Sequence, residues 1–284
     1  VAEHHVMGEL DLGEPRFGHF SLYLDWWKHW LNGEDRAVEA WPPVQYYMMI
    51  RNEWRASDRW PPPGVTPTKY FFHSGGSANS HNGDGTLSLV EPGTEPPDRF
   101  TYDPATPVPS AGGPYSSGVG VAPYVDQRPT SARNDVLVYT SEPLENGLEI
   151  EGPIDAMLYV SSNVRDTDFS VKLVDVKPDG TPVNVRVGFI RARYREGRDK
   201  KVFMTEGQVY RVPVMLNDIA YYFRPGHRVR VQVTSSDFPS FDRNLNTGGN
   251  NYDETEWVVA ENVMHHSAEH ASHIVLPVSG GRGR

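Results

Sequence analysis

The stretch RVRVQVT, residues 228–234, carries the clearest structural signal in the chain. Val229, Val231 and Val233 alternate with Arg228, Arg230, Gln232 and Thr234. Successive side chains of a strand point to opposite faces, so this stretch asks for one buried and one wet face, as antiparallel sheets provide. Runs of similar character lie on both sides of it: VLVYTS (136–141), LEIE (148–151), DAMLYVSS (155–162), DFSVKLVDV (168–176), VNVRVGFIRARYR (183–195), QVYRVPVML (208–216) and HIVLPV (273–278). Lys177-Pro178-Asp179-Gly180 is a hairpin connector. No helix of useful length separates these runs, which excludes βαβ units and a parallel sheet. Eight or more strands over about 150 residues predict a mainly β fold, an antiparallel β-sandwich of jelly-roll type.

Composition narrows the function. Among 284 residues, 27 Lys and Arg stand against 37 Asp and Glu, a net charge of −10. Nucleic-acid binding needs a basic face, so that partner class is set aside. There is no cysteine, which removes disulfides, thiolate-ligated metals and cysteine nucleophiles. The longest apolar stretch is Val44–Ile50, far short of the roughly 20 residues of a membrane-spanning helix. The first residues, VAEHHVMGELDLG, have no basic or apolar leader region and no initiator Met, and the expectation is that sequence is missing upstream.

The first 60 residues differ in character. Phe20, Leu24, Trp27 and Leu31 form an apolar stripe on a helix predicted over 18–33, which Asn32-Gly33 ends. Trp26, Trp27 and Trp30 read as core residues rather than a sugar platform. Val44–Arg51 reads as a buried strand. WPPPGVTP (60–67) is a stiff connector, after which the pattern becomes β. KYFFH (69–73) is a strand, SGGSANSHNGDG (74–85) a polar loop without the means to pack a core, and Leu87–Val90 a return strand. Residues 91–131, rich in Pro, Gly, Ser and Asp, read as one long irregular stretch.

A search for chemistry finds little. No serine has glycine at both −2 and +2, so there is no nucleophile elbow; Gly75-Gly76-Ser77 comes nearest but Asn79 spoils it. Metalloprotease, phosphate-loop and dinucleotide motifs are missing too. His265, His266, His270 and His273, with Glu269, are the best metal candidates by residue type, but they read as a loop without a helical scaffold, and no metal or other cofactor is expected. His4-His5 is weaker. Asp237, Asp242, Arg243 and Asn244 in SSDFPSFDRNLNTGG (235–249) are candidate ligand contacts. The plainer reading, an ion-pair network holding a long loop, is preferred.

Several stretches together resemble the cocaine esterase / X-prolyl dipeptidyl-peptidase family of serine hydrolases, which includes acylase-like and α-amino-acid ester hydrolases. They are Asp126-Gln127-Arg128-Pro129 followed by DVLVYTSEPL (135–144), LYVSSNVRDTDFSVKLVDVKPDG (158–180), RARYR (191–195), PGHRVRVQVTSSDFPSFDRNLNTGG (225–249) and SHIVLPV (272–278). They occur in the family's order and spacing and cover nearly the whole chain. The resemblance implies a modular enzyme: an α/β-hydrolase domain with a Ser-Asp-His triad, then a galactose-binding-like jelly roll. This chain would hold the last helix and strand of the first (1–62), the jelly roll (63–280) and a short tail (281–284).

No catalytic residue carries over. The family's Ser and Asp lie upstream, and its His precedes a G-x-L-D-x-G motif, here Gly8–Gly13, by more than His4 or His5 do. The loop before D-Q-R-P approaches the family's active-site pocket, which makes Tyr115, Ser116 and Ser117 the candidate pocket-facing residues. The function so implied is the C-terminal part of a hydrolase acting on acyl ester, amide or X-Pro dipeptide bonds, inactive alone. Its partner would be an upstream hydrolase domain or fragment, or a second copy in a homo-oligomer. The alternative is a free-standing carbohydrate- or protein-binding module, which has no need of a Trp-rich apolar helix. On this reading residues 1–60 lack partners within the chain and should be cut by protease before Pro67.

Overall fold

A computed structural model describes residues 6–13, 19–113 and 123–280. Two short strands, β1 (Val6–Met7) and β2 (Leu10–Asp11), pair with each other. Helix α1 (His19–Asn32) follows, and then a hairpin of β3 (Val44–Met48) and β4 (Glu53–Ser57). The remaining strands are β5 (Val65–His73), β6 (Thr86–Ser88), β7 (Asp98–Tyr102), β8 (Leu137–Thr140), β9 (Leu148–Ser162), β10 (Asp168–Val176), β11 (Pro182–Arg191), β12 (Tyr210–Phe223), β13 (Arg228–Thr234), β14 (Ala260–His265) and β15 (His273–Ser279). A four-residue helix, α2 (Arg128–Ser131), precedes β8. The strands from β5 onward run in the order β11-β10-β13-β8-β6-β5-β15-β9-β14-β7, with β12 also on β9. Every pairing is antiparallel except the single β6–β8 bridge. The fold is the antiparallel β-sandwich that the alternating strands require.

Both groups of strands supply one core. Val171, Leu173, Val229, Val231 and Val233 share it with Ile154, Leu158, Val160, Val212 and Val214, all at most 1% exposed. Expected strands appear with instructive changes. LEIE and DAMLYVSS are one strand, β9, because Gly152-Pro153 does not interrupt it. Gly152 sits at φ +145°, and a Cβ there would meet Pro61 at 2.9 Å and Pro277 at 3.1 Å, so the glycine serves close packing rather than a turn. β12 runs past Leu216 to Phe223 through a bulge between Met215 and Asn217. Extra residues of this kind bend a strand without ending it.

Three expectations need correction. The wet face of β13 is wet only at its start: Gln232 and Thr234 are buried, as is Lys172 on neighbouring β10. The reason lies in residues 91–131, which are not merely an irregular loop. They contain β7, whose Asp98, Phe100 and Tyr102 point inward, and α2, and they pack Val108 against Val136 and Val138. Loop 74–85 also packs. Ala78 is fully buried, and the backbone crosses so near β8 that a Cβ on Gly85 would lie 2.0 Å from the Val138 oxygen. The last strand that sequence reading missed is β14, which joins β7 to β9.

The N-terminal hairpin is tied to the sandwich. Met48 is buried against Ala220 and Tyr222 of β12, and the Met49 N–H donates to the Ala220 oxygen at 3.1 Å. Arg55 donates to Glu149 (2.9 Å) and Glu151 (2.7 Å), and Arg51 to Glu149 (2.7 Å), with its guanidinium 3.6 Å from the Tyr222 ring centroid. Tyr46 donates to Glu151 and Trp60 to Asp218. Residues 44–60 therefore do have partners, contrary to the expectation for 1–60, because the outer face of β9 and β12 offers both apolar and acidic surface. A division at 62/63 remains a proposal about ancestry that these contacts cross.

Two outcomes follow. Gly85→Ala should destabilise the chain by about 1–3 kcal/mol through overpacking, whereas Gly93→Ala, with nothing within 4 Å, should leave the thermal midpoint nearly unchanged. Limited proteolysis read by mass spectrometry should give a resistant product that still contains 44–57; a product starting after Ser57 would show that the hairpin opens independently.

Candidate functional site

The segment that the resemblance places at the pocket, with Tyr115, Ser116 and Ser117, lies outside the described residues; its two roots do not. The Gly113 N–H donates to the Pro123 oxygen at 2.9 Å, closing the loop's base. Gln127, fully buried, sends its side-chain amide to the oxygens of Ala111 and Val125, both at 2.9 Å. Asn184 on β11 donates to the Pro123 oxygen (2.7 Å) and accepts from the Val125 N–H (2.8 Å). Lys172 on β10, itself buried, donates to Gln127 Oε1 (3.1 Å) and pairs with Asp237 (3.4 Å). This explains the D-Q-R-P stretch. Asp126 accepts from the Arg128 N–H just ahead of α2, while Gln127 clamps both sides of the loop.

The Gly8–Gly13 motif lies against the same root. The Glu9 N–H donates to the Tyr124 oxygen at 2.7 Å, Leu10 and Leu12 are buried, and Tyr47 of β3 donates to the Leu12 oxygen at 2.6 Å. A cavity of about 120 Å³ lies here, lined by Met7, Gly113, Pro123, Tyr124 and Asn184 among others. The sequence reading named neither Gln127 nor Asn184 as anchors. The visible signal for the network was Lys172, a charge inside the otherwise strand-like DFSVKLVDV.

A second cluster, also missed, has the outline of a catalytic triad. Ser74 Oγ lies 3.1 Å from His266 Nε2, and His266 Nδ1 lies 3.1 Å from Glu95 Oε2. Asp98 decides its chemistry. Its carboxylate accepts from Ser74 Oγ (2.8 Å), Tyr139 Oη (2.8 Å) and the Ala78 N–H (2.9 Å), and sits 2.9 Å from His266 Nε2. Burial alone would lower the His266 pKa, but the hydrogen bond and charge of Asp98, with Glu95, outweigh it and raise it above 6.5. Burial likewise opposes ionisation of Asp98, yet His266, Ala78, Ser74 and Tyr139 hold its pKa below 3.8. Asp98 engages the same Nε2 that faces Ser74, so the nitrogen that would take a serine proton is already paired with a carboxylate. Ser74, Asp98 and His266 are also buried. This is a structural ion pair, not a nucleophile.

The other candidates are dispersed. His265 meets Ser161 (3.0 Å), His273 Nδ1 bonds the Ala271 oxygen (2.7 Å), and the His270 ring packs on Tyr159 and His265. The four histidines do not converge on one point. In 235–249, Asp242 accepts from Arg191 (3.2 Å), Arg243 donates to the Pro104 oxygen (2.8 Å), and Asn244 donates to Asp166 and Asp168 (2.7 Å each). Arg191 also forks onto Asp168, and Arg193 pairs with Asp166. These side chains bind one another and the backbone. The tryptophans of α1 are not core: Trp26, Trp27 and Trp30 are 45%, 55% and 55% exposed.

The ionic cluster sets a pH dependence. His266, with its folded pKa raised, contributes stability that is fully present below about 6.5 and lost as pH rises through the folded value. Asp98, depressed, contributes stability present above about 3.8 and lost as pH falls through its folded value. Thermal midpoints should therefore be highest between these limits and decline on the alkaline side. His266→Gln should lose about 3–5 kcal/mol, since it leaves buried carboxylates uncompensated, and should flatten that alkaline decline. Separately, Gln127→Ala should speed amide exchange around 111–126 while β9 and β12 stay protected; uniform deprotection would mean that Gln127 serves the fold as a whole.

Comparison with known proteins places these features. A family profile described as the X-Pro dipeptidyl-peptidase C-terminal non-catalytic domain matches residues 36–275. Cocaine esterase of Rhodococcus sp. is 43% identical over 250 residues, which is 87% of this chain and 44% of that protein. An aminopeptidase from a marine-sediment Thaumarchaeota archaeon superposes with a TM-score of 0.83 at 27% identity, covering 97% of this chain and 46% of its own. An α-amino acid ester hydrolase superposes at 0.77 with 30% identity, covering 89% and 44%. The chain thus spans less than half the length of these relatives. Matched by the profile over most of its length, it belongs to the X-Pro dipeptidyl-peptidase C-terminal non-catalytic domain family.

Proposed function

We propose that this chain is the C-terminal, non-catalytic part of a serine hydrolase that cleaves acyl ester or amide bonds, X-Pro dipeptide bonds among them. Its sandwich packs on an upstream catalytic domain that carries the Ser, Asp and His. The loop Pro114–Val125, with Tyr115, Ser116 and Ser117, borders the substrate pocket, and Gln127 and Asn184 support this reading by bonding its flanks at Ala111, Pro123 and Val125.

The observation that carries this reading is the bare face of α1. Phe20, Leu24, Trp27 and Leu31 are 85%, 56%, 55% and 72% exposed. Burying such side chains is worth roughly 1.5–3 kcal/mol each, and soluble monomers rarely expose a contiguous patch of this kind. The helix leads into a hairpin that is bonded to β9 and β12, and the Gly8–Gly13 motif lies at the loop root. The motif thus lies beside the described roots of the loop, and between motif and hairpin the chain carries a helix whose apolar side chains are unburied. A free-standing binding module does not account for an apolar helix left bare.

The chain alone should not turn over p-nitrophenyl esters, and no serine in it, Ser74 included, should take up a fluorophosphonate. Turnover together with labelling of one serine would overturn the assignment. In the longer polypeptide, Leu24→Glu combined with Trp27→Glu should cut kcat/KM at least tenfold. In the isolated chain the same pair should move the sandwich's unfolding by no more than about 0.5 kcal/mol, as exposed substitutions do.

A further inference from the structure

Behind the loop clamp lies a small cavity of about 10 Å³, walled by Val136, Ser170, Lys172, Gln232, Thr234 and Asp237 among others. Two of its lining residues carry a buried atom, Gln232 Nε2 and Asp237 Oδ2, with no hydrogen-bond partner among the described residues. Both side chains are almost fully buried, at 3% and 2% exposed. Buried polar atoms of this kind are nearly always satisfied.

We propose that one water molecule is bound here, accepting from Gln232 Nε2 and donating to Asp237 Oδ2. The size is right for a single water and too small for anything larger. The chemistry points the same way. One orphan atom donates and the other accepts, so the occupant must do both. An anion would face the Asp237 carboxylate, and a cation would face the Lys172 ammonium, which lies 3.4 Å from Asp237 Oδ1. Ser170 and Thr234 bring hydroxyls to the same wall and supply the further partners that an internal water usually has.

The site continues the clamp. Asp237 holds Lys172, Lys172 donates to Gln127 Oε1 at 3.1 Å, and Gln127 holds the oxygens of Ala111 and Val125 at the loop base. The water would fix the free oxygen of Asp237 and so complete the chain of bonds from β13 to the loop. Any effect on a substrate pocket rests on the function proposed above; the hydration site itself does not.

A crystal structure of the 284-residue chain, at a resolution that shows ordered solvent, tests this directly. Density for one water within hydrogen-bond distance of both Gln232 Nε2 and Asp237 Oδ2 is the expected result. An unoccupied cavity, or a protein atom of 114–122 filling it, would overturn the proposal whatever the enzyme's activity. Gln232→Met, similar in length but without a donor, should release the water and raise amide exchange at Val125 and Gln127 by roughly tenfold, the scale of one lost buried hydrogen bond. A water left unmoved on Asp237, with exchange unchanged, would show that Gln232 does not hold it. Should that variant not fold, the wild-type density decides alone.

Discussion

Strand β9 is satisfied along both edges at once, and the rest of the molecule is arranged around that fact. Its fifteen residues pair with β12 from Leu148 to Val160 on one side, and with β15 and then β14 on the other. Its inward residues, Ile150, Ile154, Ala156, Leu158 and Val160, form the centre of the core. Its outward Glu149 and Glu151 fasten the N-terminal hairpin through Arg51 and Arg55. A strand this long without a free edge presents no template for further pairing. It also makes the position of the hairpin a consequence of sheet geometry.

Lacking cysteine, the chain stabilises its covering segments with buried polar bonds. Loop 74–85 and the stretch leading into β7 are joined to the β14–β15 connection through Ser74, Asp98, Glu95 and His266. The 104–136 segment is joined to β10 and β11 through Gln127, Lys172 and Asn184. The 242–249 segment is joined through Arg191, Arg193, Asn244 and two aspartates. Each network ties a segment that crosses an outer sheet face to the strand beneath it. Polar networks of this sort specify one arrangement because each member left unpaired is costly.

One of those networks imitates an active site. Ser, His and an acid at hydrogen-bond distance are not sufficient for nucleophilic catalysis. The additional carboxylate of Asp98 favours the charged imidazole and engages the nitrogen that faces Ser74, and burial keeps substrate away. Function in this molecule is better sought where the Gly8–Gly13 motif meets Tyr124 at the described root of the loop, and on the bare surface of α1. Those places offer surface rather than chemistry of their own.

What sequence alone determined was local. Alternation of Val229, Val231 and Val233 fixed a strand, the 168–176 run gave its strand to the residue, and the Phe20–Leu31 stripe gave the helix. The motifs from Asp126 to Val278 gave the family. What only the tertiary structure decided was covering and convergence. β7 was hidden because Asp98, an inward charge, breaks the apolar alternation of DRFTY. The burial of Gln232 and Lys172, the exposure of the α1 tryptophans and the joining of Asp98 to His266, 168 residues apart, left no periodic trace. Periodicity records which face of an element a side chain occupies. Whether that face is later covered depends on where distant segments return, and no local pattern encodes that.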